Sequence, residues 1–261
     1  MAAGKSSRHP SHIVSVGTNR LLKSSFISGA NAAGKSNFIH AVDVMRQLVT
    51  TGDSKSGRSR DRYFRIDPAC SEKPGVFQIE LATNNGLYSY GFSIDYKNRE
   101  FEAEWLYDIT NEKEICFFER DIEKNETKTD LKIPQNSKDE MRYEVYKTDI
   151  SANRLLLSEI AKKDIDEDSV FAPLKTVYNW FLKIVVIYPY SHAREINNFF
   201  VNNSGDTTSL AKMLSGFELY LEVISLSLLQ YFSILFFISV GTSKLPTKVN
   251  ILFFVSSNIS Y

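Results

Sequence analysis

The sequence predicts an α/β protein in which a strand–loop–helix unit is joined to an antiparallel β-meander with flanking helices. Three observations predict it. The first is the stretch LLKSSFISGANAAGKSNFIHAV near the start. The second is a run of alternating aromatic segments from Phe77 to about Tyr146, and the third is helical spacing that returns after Ser151.

Leu21 to Ser28 is short and largely apolar or hydroxyl-bearing, which suits a buried strand. Gly29-Ala30-Asn31-Ala32-Ala33-Gly34-Lys35-Ser36 then fits G-x-x-x-x-G-K-[ST] without a mismatch. After it Phe38, Val42, Met45 and Val49 recur at helical spacing, with Ala41 and Leu48 beside them and His40, Asp43 and Gln47 opposite. That pattern predicts an amphipathic helix from about Lys35 to Val49.

The same five letters, AAGKS, also stand at Ala2–Ser6. No residues precede that copy to make a strand, and no earlier glycine accompanies it, so it is expected to be tail. In the second copy the loop amides and the positive end of the helix dipole are suited to phosphate oxygens. Lys35 is expected to reach the β- and γ-phosphates, and Ser36 to supply a hydroxyl to Mg²⁺. The cofactors expected are therefore ATP and Mg²⁺. Gly29 and Gly34 permit backbone conformations and close approaches that side chains obstruct.

Net charge is zero, so nothing global draws the chain to nucleic acid or an anionic membrane. Cys70 and Cys116 are the only cysteines and form no CxxC or Cys/His cluster. This argues against a disulfide framework or zinc site, suits a cytoplasmic location, and makes both cysteines expected core residues. The polar start MAAGKSSRHPSH carries no apolar segment of a secretory signal.

Residues 51–62, TGDSKSGRSRDR, read as a flexible loop. Arg58, Arg60 and Arg62 have no interleaved aromatics for base stacking, so a solvated loop is expected there. FQIELATNNGLYSYGFSID alternates around Asn84-Asn85-Gly86, a hairpin signal. A turn near Lys97-Asn98 leads to EFEAEWLYDI, and EICFFERDI and MRYEVYK are expected to continue as strands. Tyr88, Tyr90, Phe92 and Ile94 share one face by period two, and inward packing is expected of them.

Ser151 to Lys163 predicts a helix with Ser151 as N-cap. Asp164–Asp168 follows as a solvated acidic loop. Pro173 suits the first turn of a helix striped by Leu174, Val177, Tyr178 and Phe181. IVVIYP reads as a short buried strand, and His192, beside Arg194 and Glu195, as a surface histidine.

With these elements in view, Leu21 to about Tyr190 resembles the ABC-class "AAA family ATPase" proteins of microbes, relatives of the SMC, RecF and OLD ATPases. The residues that carry the resemblance are Asn31 within GANAAGKS, Asn37 after GKS, and the lobe GLYSYGFSID…FEAEWLYDI. The resemblance implies an α/β fold with a P-loop NTPase core and an antiparallel β-meander subdomain. It also implies ATP binding and hydrolysis, a homodimer formed through ATP-bound heads, and action on DNA or on a partner effector, often in phage defence. Gly29, Ala30, Asn31, Ala32, Ala33, Gly34, Lys35, Ser36 and Asn37 fall on the family's nucleotide loop, with Ser36 on the metal. Ala32 stands where many such loops have glycine.

Other expected motifs are incomplete. IVVIYP ends in Tyr188-Pro189 and ILFFVSSN in serines, where the family has a strand ending in Asp-Glu. Leu214-Ser215-Gly216-Phe217-Glu218 has phenylalanine at a glycine position of the signature. The chain therefore reads as an incomplete head: tail 1–18, front portion 19–222 (β-lobe 63–150, helical part 151–222), and an apolar tail 223–261. From Val223 onward only Lys244 and Lys248 carry charge. A shifted reading frame after about Leu219 is the expectation for that tail. A membrane span over Val223–Val240 and a buried segment are the alternatives. Two rival functions stand beside ATP hydrolysis: a non-hydrolysing nucleotide sensor, and a non-functional ATPase fragment.

Overall fold

The computed structural model describes residues 2–4, 10–30, 33–56, 67–83, 85–186, 233–240 and 249–257. Strands β1 (Ile13–Val16) and β2 (Asn19–Leu22) form an antiparallel pair. Strand β3 (Ser25–Gly29) follows, and helix α1 (Lys35–Thr51) closes the opening unit. The expected single strand over 21–28 is thus two strands, broken at Lys23 and Ser24. The expected N-terminal tail contains β1, and Ala2 bridges to Leu21, with the Ala3 amide donating to the Arg20 carbonyl at 2.7 Å.

Strands β4 (Gly75–Thr83), β5 (Gly86–Asp95), β6 (Glu100–Asp108), β7 (Ile115–Asp121) and β8 (Glu126–Lys128) form one antiparallel meander in chain order. Thr83 pairs with Gly86, the register that the Asn-Asn-Gly signal predicts for a hairpin. Helices α2 (Lys138–Thr148), α3 (Leu156–Ala161) and α4 (Ala172–Leu182) follow. The fold is mixed α/β, with a five-stranded antiparallel sheet and flanking helices.

MRYEVYK is helical rather than a strand. Ser137 accepts from the Glu140 amide at 3.1 Å, and the Glu140 carboxylate reaches back to the Asn136 amide at 2.6 Å. This is a reciprocal cap of the S-x-x-E kind, and it starts α2 firmly enough to override the alternating pattern. Helix α3 begins later than expected, and Ser151 caps nothing there: its hydroxyl donates to Asn153 Oδ1. Helix α4 matches its expected stripe, with Leu174, Val177, Tyr178 and Phe181 buried and Pro173 in its first turn. Ile184–Val186 carry no strand, and the rest of IVVIYP lies outside the described residues.

The core gathers β5, one face of α1, and helices α3 and α4. Tyr88, Tyr90, Phe92 and Ile94 are buried as their period-two spacing requires. Tyr90 meets Phe181 edge-on at 5.5 Å, and Phe92 meets Phe101 likewise at 5.4 Å. The buried face of α1 is turned from the expected one: Ile39, Val44, Met45, Leu48 and Val49 point inward, and Phe38 is exposed.

The apolar tail contains two strands, β9 (Ser233–Val240) and β10 (Val249–Ser257). Strand β10 pairs in parallel with β3 and antiparallel with β9, in the order β3-β10-β9.

Candidate functional site

Strand β3 delivers the chain to the loop at Gly29. The Ala33 amide turns back to the Ala30 carbonyl at 3.2 Å, and Gly34 then opens α1. Gly34 has φ +86° and ψ 1°, a left-handed conformation that side chains oppose. A Cβ there would meet nothing within 4 Å, so glycine is required for its backbone freedom and not for space.

No side chain caps α1, and no acidic residue stands in its first turn. Its opening amides and the positive end of its dipole are therefore directed at the loop. Lys35 is buried and folds back over that loop, donating from Nζ to the carbonyl oxygens of Gly29 and Ala30, each at 2.7 Å. Ala33, Gly34, Ser36 and Asn37 are exposed around it. Asn31 and Ala32 lie outside the described residues. A basic side chain, a helix N-terminus and two exposed polar side chains thus converge at the end of one strand, an arrangement suited to an oxyanion with an attached metal.

Strand β10 reaches the same level. In its register with β3, Ser256 stands opposite Ser28 and Ser257 opposite Gly29. The strand adjoining the loop strand therefore ends in hydroxyl-bearing residues. Among the described residues no group of His, Cys, Asp and Glu is arranged to hold a metal ion. His192, Arg194, Glu195 and Leu214–Glu218 lie outside the described residues.

One polar cluster escapes sequence reading. Glu104 on β6 is fully buried and accepts from Tyr90 Oη at 2.9 Å, the Leu156 amide at 2.6 Å and the Leu157 amide at 3.0 Å. Burial pushes its carboxyl up to about 7, against the opposing pull of the two amides, Arg120 and Tyr90. Strict alternation would send Phe101 and Glu104 to opposite faces. An irregularity in the β5–β6 register pairs Ile94 with Phe101 but Phe92 with Glu104, so both point inward. A second irregularity, at Leu106/Tyr107, lets Phe117 and Phe118 both be buried. The sequence hides it, because Glu100, Glu102 and Glu104 alternate along β6 as the residues of a solvent-facing side would.

Other candidates fall away from the loop. Residues Asp53–Ser56, expected to be a flexible loop, are fastened: buried Ser54 donates to the Arg99 carbonyl, and its amide donates to Asn153 O at 3.0 Å. Residues 57–62 are outside the described residues. Cys70 and Cys116 are half-buried and free, not fully buried core. Burial pushes the Cys116 thiol up to about 11, with Asp130 and Glu119 adding repulsion, so it is a poor nucleophile. Asp164, Asp166, Glu167 and Asp168 are exposed. No helix among the described residues is long and apolar enough to cross a membrane.

Compared with known proteins, the chain matches none of the curated proteins and none of the solved structures. A family model does match, over residues 24–204, more than half of the chain. That span runs from the strand feeding the loop, through α1 and the meander, past α4. The chain belongs to the ATPase-type family described as "AAA domain, putative AbiEii toxin, Type IV TA system".

Proposed function

We propose that this chain binds Mg-ATP through Gly29–Asn37 and acts as an ABC-class ATPase head of the kind found in SMC, RecF and OLD relatives. The observation that carries the reading is left-handed Gly34 opening α1 beside β3, with Lys35 Nζ resting on the Gly29 and Ala30 carbonyls. Phosphate oxygens offer that ammonium a better partner than two neutral carbonyls, because there the positive charge meets a negative one in place of a neutral dipole.

In this reading Gly29, Ala30, Asn31, Ala32, Ala33 and Gly34 cradle the phosphates and Lys35 neutralises them. Ser36 presents its hydroxyl to Mg²⁺, and exposed Asn37 borders the site. Bound Mg-ATP would supply the γ-phosphoryl group and its metal. The protein supplies orientation and charge. The wider role follows the same resemblance: a cytoplasmic homodimer closing on ATP between heads, coupled to an effector protein or to DNA, as in phage defence. A balanced net charge gives nucleic acid no general attraction, so any DNA contact would be local.

A second reading is favoured by Ser256 and Ser257 ending the strand beside β3. Hydroxyls do not hold Mg²⁺ or activate water as carboxylates do, which suits a nucleotide sensor that binds without rapid turnover. The test is equilibrium titration with Mg-ATP. Saturable binding that requires Lys35 supports the reading, and equal affinity of wild type and Lys35→Ala sinks it.

A further inference from the structure

We propose that Glu104 is a positioning residue for the loop, acting through α3 on the far end of α1. The inference rests on the reading of Gly29–Asn37 as a phosphate site.

The last four carbonyls of a helix lack partners within it. In α1 all four are met. Leu48 O accepts from the Gly52 amide at 2.8 Å, Val49 O from Ser158 Oγ at 2.6 Å, Thr50 O from Tyr178 Oη at 3.0 Å, and Thr51 O from Lys162 Nζ at 2.6 Å. Three of these four donors are side chains on, or just beyond, α3 and α4. The Leu155 amide adds a bond to Gly52 O at 3.1 Å. Gly52 lies so close to α3 that a Cβ there would stand 2.7 Å from Ser158 Cβ.

Helix α3 is only six residues long and has no side-chain cap of its own. Such a helix does not hold itself in place. Glu104 holds it: one carboxylate on the meander takes the amides of Leu156 and Leu157, and Tyr90 orients it from β5. The other charged group facing it is Arg120 on β7, whose guanidinium is directed at the carbonyls of Ile150, Ser151 and Arg154, the segment leading into α3. The sheet therefore fixes α3, and α3 fixes the C-terminus of α1. At 17 residues α1 is about 25 Å long and stiff along its axis. An axial shift at Val49–Thr51 therefore reappears at Lys35 and Ser36.

The experiment measures Mg-ATP affinity at pH 8, together with amide hydrogen exchange in the nucleotide-free protein at Phe38–Ala41, the first amides bonded within α1. Wild type is compared with Glu104→Gln, whose amide nitrogen cannot accept from a backbone N–H, and with Ser158→Ala. Each variant is expected to weaken ATP about five- to tenfold, a typical coupling between separated sites, and to speed exchange at Phe38–Ala41. Unchanged affinity in folded variants, with faster exchange confined to α3, would overturn the proposal even if melting temperature falls. Should Glu104→Gln not fold, Ser158→Ala decides alone. Should wild type bind no Mg-ATP, the nucleotide reading fails by itself, and exchange at Phe38–Ala41 still decides the link.

Discussion

Lys35 Nζ donates to the carbonyl of Gly29, the first glycine of its own loop, at 2.7 Å. The ammonium therefore serves the loop before any ligand arrives, through this bond and its twin to Ala30. Lys35→Ala should lower stability by about 1 kcal/mol. It should also remove charge-assisted contacts to phosphate worth roughly 1.5–3 kcal/mol, at least tenfold in affinity. Lys5→Ala, in the first AAGKS, should change neither. Thermal melts and ATP titrations of both variants check this.

Turnover should be slow. Ser256 and Ser257 end the strand beside β3, where a carboxylate pair would hold metal and water. Phosphate release from the purified protein should stay well under roughly 1 per second, the low end of ordinary enzyme rates. Faster release that Lys35→Ala abolishes would refute the sensor reading and point to a carboxylate elsewhere in the chain.

Gly52→Ala should destabilise through two effects acting together. Gly52 has φ +72°, and its Cβ would stand 2.7 Å from Ser158 Cβ. A side chain held in the left-handed region costs about 1–3 kcal/mol, and the clash adds to it. Denaturant unfolding measures the loss; a change within error would mean that α1 and α3 do not meet as described.

Glu104 sets a pH dependence whose sign follows from its raised carboxyl, about 7 against 4.5 for an ordinary glutamate. Below the lower value both folded and unfolded chains hold the proton, and the favourable contribution is complete. As pH rises toward 7 the unfolded chain gives up its proton first, so stability falls, levelling off above 7. Relative to Glu104→Gln, wild type should lose stability between about pH 4.5 and 7. Paired melts across that range test it, and parallel curves would contradict it.

Val255→Pro tests whether β10 belongs to the sheet. Proline removes a backbone N–H and is excluded from inner strands. Val255 stands between β3 and β9, paired with Ile27 and Ile234. The variant should melt lower and bind ATP more weakly. A tail produced by a shifted frame would make the substitution silent, and translating the other two frames after codon 219 should then reveal a strand ending in Asp-Glu.

The sequence alone determined the elements whose cause is local. Gly29-x4-Gly34-Lys35-Ser36 marks a loop between a strand and a helix because a left-handed glycine and a helix N-terminus lie within a few residues of each other. Asn84-Asn85-Gly86 sets the β4–β5 hairpin, and Pro173 marks the start of α4, for the same reason. Tertiary structure decided whatever depended on distant partners. Which face of α1 is buried was settled by α3 and α4, so Ile39 went inward and Phe38 did not. The register irregularity between β5 and β6 turned Glu104 into the core, which no count of alternating residues along one strand reveals, since a bulge is a relation between two strands. Strand β10 beside β3 is likewise a pairing across more than two hundred residues. Hydrogen bonds of that range leave little imprint on local composition, because their partner is chosen by the assembled sheet.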